Sequence, residues 1–457
     1  MKFNKTLFAL IATTATLFTS SAMAKISAAD AAKLGSELTP VGAERAANVD
    51  GSIPEWTGGM TTAPAGYKGE GTTRIDPFAS EKPLFVIDAS NYKQYEAKLS
   101  AGQKELFAKH PDTFKMPVFA THRTAAAPQW VYDKTKTNAL NAETTAGGDG
   151  VANAFGGYPF PVPQNGHEAI WNHSLRWTGQ GSNKKYKNLT VYGNGTSTLG
   201  QGEIWESFPY YNPESSAEEY NGNIQQILVQ YSLPVRRKGE VILVRDPVNA
   251  AETPRQAWQY IPGQRRVRRA PTIAFDTPNT QFAGQATFDD SFMFNGSTER
   301  YNWKLKGKQE MFISYNNNGL FSEAEKGDDA VANIATPYHP NPEFSRWELH
   351  RVWVVEASLK EDKRHVYAKR TFYIDEDTWM VAATDIYDGR GNLWRAGFAN
   401  FLNAYDVPVT AVRATWHTDF QNGNYAFNEL DFVPVKFYQG EKDKFFTPGQ
   451  VRKLSKR

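Results

Sequence analysis

The residues best suited to chemistry form three polar clusters, and the first has the composition of a metal site. Glu348 and His350 are two positions apart, so both side chains project from one face if the segment is a strand. His365 follows on the next predicted strand, and imidazole and carboxylate groups are zinc ligands. No fourth ligand stands at a recognisable spacing, and isolated histidines in strands usually only find hydrogen-bond partners. We therefore predict no metal and no other cofactor.

The second cluster is the acidic tripeptide Asp375-Glu376-Asp377. Paired carboxylates can act as general acid and base. A turn between two strands is the better explanation, because Asp side chains accept hydrogen bonds from nearby backbone N–H groups in turns. The chain has no cysteine, no GxSxG elbow, no P-loop and no Rossmann glycine motif after a strand. We predict that the protein is not an enzyme.

The third cluster is basic: Arg265, Arg266, Arg268 and Arg269 follow a Pro-Gly turn signal. In a strand, Arg266 and Arg268 share one face, and Arg265 and Arg269 share the other. Guanidinium groups match carboxylates and phosphates, so the cluster indicates contact with an anionic ligand or a partner. Pairing with acidic residues of neighbouring strands is the simpler alternative. The net charge of +2 argues against a general polyanion-binding role, so we expect no nucleic-acid partner.

Aromatic residues are abundant, with 12 Trp, 21 Tyr and 28 Phe in 457 residues. Strand alternation places several of them on shared faces, which is typical either of an ordinary core or of a concave apolar cavity for a hydrophobic ligand. The residue pattern leaves both interpretations open. The candidate ligand-binding residues are Trp258, Tyr260, Trp303, Trp347, Leu349, Trp353, Phe372 and Trp394.

These clusters need a sheet to position them. Residues 346–395 contain three runs rich in Val, Trp, Tyr, Phe and Thr, which are followed by the polar breaks EDK, DED and DGRG respectively. Such runs predict an antiparallel meander. From residue 189 onward almost every segment favours strands, although 224–233 could equally be helical. We expect a mainly β fold built on a large, curved antiparallel sheet.

Residues 25–188 are predicted to be irregular and helical. A short helix is expected near Ser27, and two more within residues 90–110, the second starting at a capping box made by Ser100 and Gln103. Residues 115–123 and 129–132 look like short strands. No repeat or flexible linker divides the chain, so we predict one β-rich domain over residues 25–457, with its sheet core in 189–457.

The first residues have the pattern of a secretory signal peptide. Two lysines precede an apolar run at residues 7–18, and Ala22-Met23-Ala24 gives the small-x-small cleavage pattern. The run is shorter than the roughly 20 residues that a membrane span needs. We expect cleavage after Ala24 and a periplasmic mature protein, which also fits the absence of cysteine.

Five long blocks of sequence carry a resemblance to a known family. They are LTPVGAERAANVDGSIPEWTGG (38–59), GGYPFPVPQNGHEAIWNH (156–173), AWQYIPGQRRVRRAPT (257–272), RYNWKLKGKQEM (300–311) and RWELHRVWVVEASLKEDKRHVYAKRTFYIDEDTW (346–379). The chain is identified by them as a member of the exported proteobacterial family called domain of unknown function 1329. That family has no established activity or catalytic residues.

The β-rich part resembles, more distantly, the lipoprotein-sorting carriers of the LolA/LolB type, through YIDEDTWMVAATDIYDGRGNLWR (373–395). This resemblance implies an incomplete β-barrel, with short N-terminal helices and long loops, that binds a lipid-like molecule. The family resemblance implies partnership with an RND-type exporter and an outer-membrane protein. The chain is about twice the length of those carriers, so its N-terminal segments could cover or fill the cavity. The alternative is an envelope scaffold or interaction protein without a lipid cavity.

Overall fold

One large sheet organises the computed structural model, which describes residues 26–250, 252–270, 275–279, 282, 284–438 and 443–455. The predicted signal peptide, residues 1–24, lies outside the described residues. The strands are β1 (Phe85–Ile87), β2 (Met116–Val118), β3 (Glu143–Thr144), β4 (Val151–Ala152), β5 (Gly181–Val191), β6 (Ser197–Ser207), β7 (Asn223–Leu233), β8 (Val241–Pro247), β9 (Gln256–Ile261), β10 (Arg266–Arg269), β11 (Tyr301–Ser314), β12 (Trp347–Leu359), β13 (Lys369–Asp375), β14 (Val381–Tyr387), β15 (Leu393–Ala404), β16 (Val409–Asp419), β17 (Tyr425–Asp431) and β18 (Lys436–Tyr438).

The helices are short and lie between or beside the strands. They are α1 (Ala28–Ala32), α2 (Ala101–Lys109), α3 (Gln129–Asn141), α4 (Gly166–Ser174), α5 (Asn318–Ala324), α6 (Asp328–Ile334) and α7 (Pro448–Leu454), with 3₁₀ helices that include Tyr92–Lys98, Val235–Arg237 and Phe288–Met293. Within the described ranges, no helix is both long enough and apolar enough to span a bilayer.

Sixteen of the described strands form one sheet in the order β1-β2-β12-β13-β14-β15-β16-β17-β5-β6-β7-β8-β9-β10, while β11 pairs with β12 and β18 with β5. All pairs are antiparallel except β2 with β12, which meet in parallel at Val118 and Trp347. Among the described strands the two ends of this order do not pair, so the sheet is mixed and not closed. The predicted mainly β fold class is confirmed.

The centre of the sheet is covered on both faces. Strands β13 to β16 are buried along nearly their whole length, whereas β6 alternates between buried and accessible positions near its end. Strands covered on both sides lose the apolar-polar alternation that marks a strand with one wet face. The N-terminal segments and the helices supply the cover, and one core cluster runs from Val41 to Phe437.

The structure decides two predictions about short segments, residues 129–132 and residues 224–233. Residues 129–132, predicted as a strand, are the first turn of α3, so that prediction is wrong. Val131, Thr135, Asn138 and Ala139 face inward at helical spacing, a period that four residues are too few to reveal. The ambiguous segment 224–233 is a strand, because it pairs with β6 on one side and β8 on the other.

The N-terminal segments are fixed to the sheet by buried polar contacts. Trp379 donates its indole N–H to the carbonyl of Val41 at 2.8 Å, and Trp56 donates its own to the carbonyl of Ala125 at 3.1 Å. These contacts hold the irregular residues 39–59 in place although they form no regular sheet or helix. As a result, this segment becomes one wall of a groove beside β12.

Candidate functional site

A groove with a volume of about 590 Å³ lies at the β1 end of the sheet. Phe312 and Leu349 are directly paired on β11 and β12 and form part of the lining. Both are buried, with 3% and 5% of their surface exposed. The full lining is Asp50, Gly51, Ser52, Pro54, Leu84, Phe85, Gln94, Tyr95, Ala97, Lys98, Val118, Phe119, Ala120, Thr121, Phe312 and Leu349.

Aromatic contacts shape the groove. Phe85 of β1 stacks on Tyr95 of the 3₁₀ helix Tyr92–Lys98, with ring centroids 5.2 Å apart. Each ring meets Phe312 edge to face, at 6.1 and 5.9 Å. Offset and edge-to-face pairs are the favoured aromatic geometries, so these three side chains hold one another in place. The groove is therefore built on a preformed aromatic wall.

The mouth of the groove combines apolar and polar groups. The lining residue Leu84 is 68% exposed, and Val49, next to the lining residue Asp50, is fully exposed. Lys98 pairs with Glu310 at 2.9 Å, and Glu310 also accepts a hydrogen bond from Asn48 at 2.7 Å. An exposed apolar rim beside an apolar recess is a feature of binding sites rather than of an ordinary surface.

The eight predicted ligand-binding residues do not converge on one place. Of these, only Leu349 lines the groove. Trp303 and Phe372 stack on each other, 5.6 Å apart, and both contact Phe294. Trp347 is 3% exposed and meets Phe398 edge to face.

The remaining predicted residues lie in three other environments. Trp353 stacks on the fully buried Trp379 at 6.0 Å, and Trp394 donates its indole N–H to Asp419 at 2.9 Å. Trp258 and Tyr260 pack in a separate small cluster with residues of α7. As ligand contacts these residues stay a prediction. The groove residues missed by the sequence prediction include Phe85, in a strand of three residues, and Tyr95, in a segment predicted only to be helical.

The first polar cluster forms a buried network around His350. As predicted, Glu348 and His350 point from one face of β12, and their side chains lie 3.3 Å apart. Asp375 lies on the other side of the imidazole, with its Oδ1 3.6 Å from Nδ1 of His350. His365 is not part of this network, because its Nε2 contacts Asp289 at 3.1 Å instead.

His350, Asp375 and Asp377 are the one group of described residues with ligand atoms close enough to hold a metal ion, within 4.8 Å of one another. Arg123 already binds both oxygens of Asp377, at 2.8 and 2.6 Å. Beside this group, Nε of Arg346 donates one hydrogen bond to Oε1 of Glu348 at 2.5 Å. Since Arg123 already neutralises Asp377 and Thr378 donates to one oxygen of Asp375, a structural polar network explains the arrangement better than a metal site does.

The turn 375–377 is buried, and its three carboxylates accept hydrogen bonds or form ion pairs. Asp375 accepts hydrogen bonds from the backbone N–H and the hydroxyl of Thr378, as a turn residue does. Glu376 receives Lys308 at 2.7 Å and Arg351 at 3.3 Å. Burial raises the pKa of Glu376, and Lys308 and Arg123 act against that rise. The turn therefore joins β13, β12, β11 and the N-terminal segment.

A second buried ion network lies under the 3₁₀ helix Phe288–Met293. Arg370 donates to Asp289 at 2.9 Å, and Tyr367 donates its hydroxyl to Asp290 at 2.8 Å. Burial alone would raise the pKa of Asp289, but Arg370 and His365 outweigh it and hold the pKa below its ordinary value. This network fixes residues 288–293 against the sheet.

The arginine cluster lies at the β10 end of the sheet. Arg266 and Arg268 oppose Ile261 and Gln259 of β9 and share a face, as predicted. Arg265 lies in the preceding turn with φ of 51°, so the predicted shared face with Arg269 is wrong. All four side chains are exposed. Among the described residues, the ion pairs of this region include Arg237 with Glu240 and none of these four.

Comparison with known proteins gives a family without an activity. Uncharacterized protein PA3922 of Pseudomonas aeruginosa is 42% identical over 446 residues, which cover 95% of each chain. A solved DUF1329 family protein from Desulfovibrio piger is 14% identical, with a TM-score of 0.42 over 62% of this chain and 95% of that one. LolA superfamily protein NE2245 from Nitrosomonas europaea is 14% identical, with a TM-score of 0.37 over 62% of this chain and 98% of that one. A family model described as protein of unknown function (DUF1329) matches residues 86–452, and the chain therefore belongs to this family.

Proposed function

We propose that this protein binds and carries a hydrophobic, lipid-like molecule in the cell envelope. The observation that supports the proposal is the groove of about 590 Å³ between the β1–β2 strand pair, the 3₁₀ helix Tyr92–Lys98 and strands β11 and β12. Small-molecule sites typically have volumes of roughly 300–1,000 Å³ and mainly apolar linings with a few polar groups. The groove has both properties, with Asp50, Lys98 and Thr121 as polar groups.

The energetics of such a ligand favour an apolar chain. Burying a methylene group contributes about 0.8 kcal/mol, so roughly eight buried methylenes contribute about 6 kcal/mol before the entropic cost of binding. The aromatic wall of Phe85, Tyr95 and Phe312 is held by its own contacts, which limits the cost of ordering the site. An acyl chain fits these requirements better than a polar metabolite does.

The cellular setting belongs to the same proposal. The signal-peptide pattern of residues 1–24 supports a periplasmic location with cleavage after Ala24. The LolA superfamily protein that resembles this chain is consistent with an envelope role. A carrier in that compartment would receive its ligand from one membrane component and deliver it to another. We retain an RND-type exporter and an outer-membrane protein as the proposed partners, and no catalytic step is part of the proposal.

The groove can be filled without disturbing the core. Ala97 lines the groove and is exposed, so Ala97→Trp places an indole in the recess while leaving the buried residues in place. Ala108 is an exposed alanine on α2 outside the lining, and Ala108→Trp is the matched control. We expect wild type and Ala108→Trp to bind the fluorescent fatty acid cis-parinaric acid equally, and Ala97→Trp to bind it at least tenfold more weakly.

Fluorescence titration gives the dissociation constants, and circular dichroism checks that the variants fold. Native mass spectrometry of protein purified from envelope extracts should also detect a lipid on wild type and less on Ala97→Trp. A wild-type protein that binds neither the probe nor a co-purified lipid would contradict the proposal. Equal binding by Ala97→Trp and wild type would place any bound lipid outside this groove.

A further inference from the structure

Two turns meet at the β10 end of the sheet and carry an unusual concentration of positive charge. One joins β7 to β8 and includes the 3₁₀ helix Val235–Arg237, and the other joins β9 to β10. Val241 and Tyr260 are paired at the base of the two turns. A Cβ atom built on Gly239 would lie 3.6 Å from Pro262, so the turns are in contact. We call them, together with β10, the basic tip.

Apart from Arg237, the cations of the basic tip are exposed and have no acidic partner among the described residues. Six of them have exposed side chains: Arg236, Lys238, Arg265, Arg266, Arg268 and Arg269. The nearby carboxylate of Glu240 is 7% exposed and already binds Arg237 at 2.7 Å. Helix α7, which packs on β8, β9 and β10, adds the exposed Arg452 and Lys453.

This concentration makes the molecule electrically asymmetric. The whole chain has a net charge of only +2, so eight cations at one end mean that the rest of the molecule is net negative. A field of this kind orients a protein relative to a charged surface and raises its rate of association. The tip would therefore face an anionic surface, while the remainder is repelled by it.

An exposed apolar residue stands among these charges. Val235 is 78% exposed, more than any other large apolar residue of the described chain except Val49. It is flanked by Pro234 and Arg236 at the end of a turn, where it projects beyond the strands. A bilayer accommodates this combination, with cations at the headgroups and an apolar side chain at the acyl boundary.

We propose that the basic tip docks on an anionic phospholipid surface, with Val235 entering the headgroup region and the surrounding Arg and Lys side chains contacting lipid phosphates. Each Lys or Arg near an anionic membrane adds to the attraction, which falls off within a Debye length. Docking of this kind would bring a carrier to the membrane that gives or receives its ligand. It does not depend on which molecule the groove binds.

The test uses the mature chain with vesicles of phosphatidylethanolamine and phosphatidylglycerol, and with phosphatidylcholine vesicles as neutral controls. The tip variant combines Arg236→Glu, Arg266→Glu and Arg268→Glu. A matched control combines Lys68→Glu, Lys93→Glu and Lys136→Glu, which are exposed lysines elsewhere on the chain. Cosedimentation measures the partition coefficient of each protein.

Wild type and the lysine control should bind anionic vesicles alike, within about twofold, and neutral vesicles much more weakly. The partition coefficient for anionic vesicles should fall at least tenfold in the tip variant and severalfold in Val235→Ser. Binding by wild type should fall when sodium chloride is raised from 0.05 to 0.5 M, as expected for screened charges. All variants should still bind cis-parinaric acid if the groove carries lipid, which separates this proposal from the proposed function.

Three results would overturn the proposal. These are no binding of wild type to anionic vesicles, equal binding of wild type to neutral and anionic vesicles, and equal binding of the tip variant and the lysine control to anionic vesicles. A wild-type protein that ignores vesicles but binds an oligoglutamate peptide, with the tip variant failing to do so, would assign the same residues to an acidic protein partner instead.

Discussion

Asp375 is the carboxylate of the buried network around His350 whose charge is least compensated by hydrogen bonds and neighbouring cations. Its Oδ2 accepts two hydrogen bonds from Thr378, but its Oδ1 has no hydrogen-bond partner among the described residues. Burial and the neighbouring charge of Asp377 raise the pKa of Asp375 to about 7 from its ordinary value of 3.8. Burial opposes protonation of His350, yet Glu348 and Asp375 outweigh it and raise the pKa of the imidazole.

These shifts predict how stability depends on pH. A group whose folded pKa is raised stabilises the fold fully below its unfolded pKa, and this stability is lost as pH rises through the folded pKa. For Asp375 the loss extends from about pH 4 to about pH 7, and His350 adds a loss in the same direction. Asp375→Asn cannot ionise and keeps an acceptor for Thr378. Wild type should therefore lose stability relative to this variant by up to about 1.4 kcal/mol per pH unit.

Urea unfolding at pH 5, 6, 7 and 8 measures the difference. Asp88→Asn is the control, because hydrogen bonds donated by Ser90 hold the pKa of Asp88 below the ordinary value, so its titration lies below this range. The free energy of unfolding of this control should change with pH in parallel with that of wild type from pH 5 to 8. Parallel curves for wild type and Asp375→Asn would show that Asp375 is already ionised at pH 5 in the folded protein.

At the scale of elements, helix α2 is docked on the sheet by its N-terminus. The backbone N–H groups of Ala101 and Gly102 donate to the carboxylate of Asp385 at 3.0 and 2.8 Å. Tyr373 donates its hydroxyl to the same carboxylate at 2.9 Å. The free N–H groups of a helix N-terminus are thus satisfied by a buried acid of β14. This close approach depends on Gly102, which has no side chain to separate helix from sheet.

Gly102→Ala should be strongly destabilising. The added Cβ would lie 2.3 Å from the Cβ of Ala396 and 2.9 Å from Oδ1 of Asp385, so the helix must move away from the sheet. Overpacking of this kind typically costs about 1–3 kcal/mol, and loss of the hydrogen bonds to a buried carboxylate adds to it. Gly389 has no atom within 4 Å of its added Cβ, so Gly389→Ala is the control. Urea midpoints compare the variants, and equal midpoints for both would contradict this account of the docking.

The elements that sequence predicts best are those specified by neighbouring residues. The capping box of Ser100 and Gln103 is present at the start of α2, with both reciprocal hydrogen bonds. The turn at 375–377 and the strands on either side of it are also as predicted. By contrast, Trp130 and Tyr132 favour a strand locally, and they led to the wrong prediction for the start of α3. The helical pattern of the longer segment 129–141 outweighs this local propensity.

The candidate site was harder to predict because it is assembled from distant segments. Its lining comes from residues 50–54, 84–98, 118–121, Phe312 and Leu349. Phe312 and Leu349 are neighbours only because the register of β11 on β12 pairs them. The sequence indicates that such aromatic residues exist, but strand register and the path of the N-terminal segment decide which of them meet. For the same reason, the eight predicted residues are spread over several environments.

At the scale of the whole molecule, arginine side chains join segments that are far apart in the sequence. Arg74 is 4% exposed, donates to both oxygens of Asp406 at 2.7 and 3.0 Å, and donates to the carbonyl of Val435 at 2.8 Å. Arg123 joins Asp377 to the carbonyls of Arg45 and Pro54. These contacts connect the irregular N-terminal part to the sheet. They support the prediction that residues 25–457 fold as one unit.

One cooperative unfolding transition is the expected behaviour of the mature chain. Fluorescence of the tryptophans and far-ultraviolet circular dichroism should give coincident urea curves, because the N-terminal segments and the sheet share one core. Arg74→Ala removes the cation that binds Asp406, which keeps the hydroxyl of Tyr67 as a donor, and it should cost about 1.5–3 kcal/mol, as the loss of hydrogen bonds to a charged group does. Arg390→Ala, in the exposed turn between β14 and β15, should change stability by less than about 0.5 kcal/mol. Since the contact joins two parts of the chain, Arg74→Ala should move both probes together. Separate transitions for the two probes, or a shift of only one of them, would instead divide the chain into an N-terminal unit and a sheet that unfold independently.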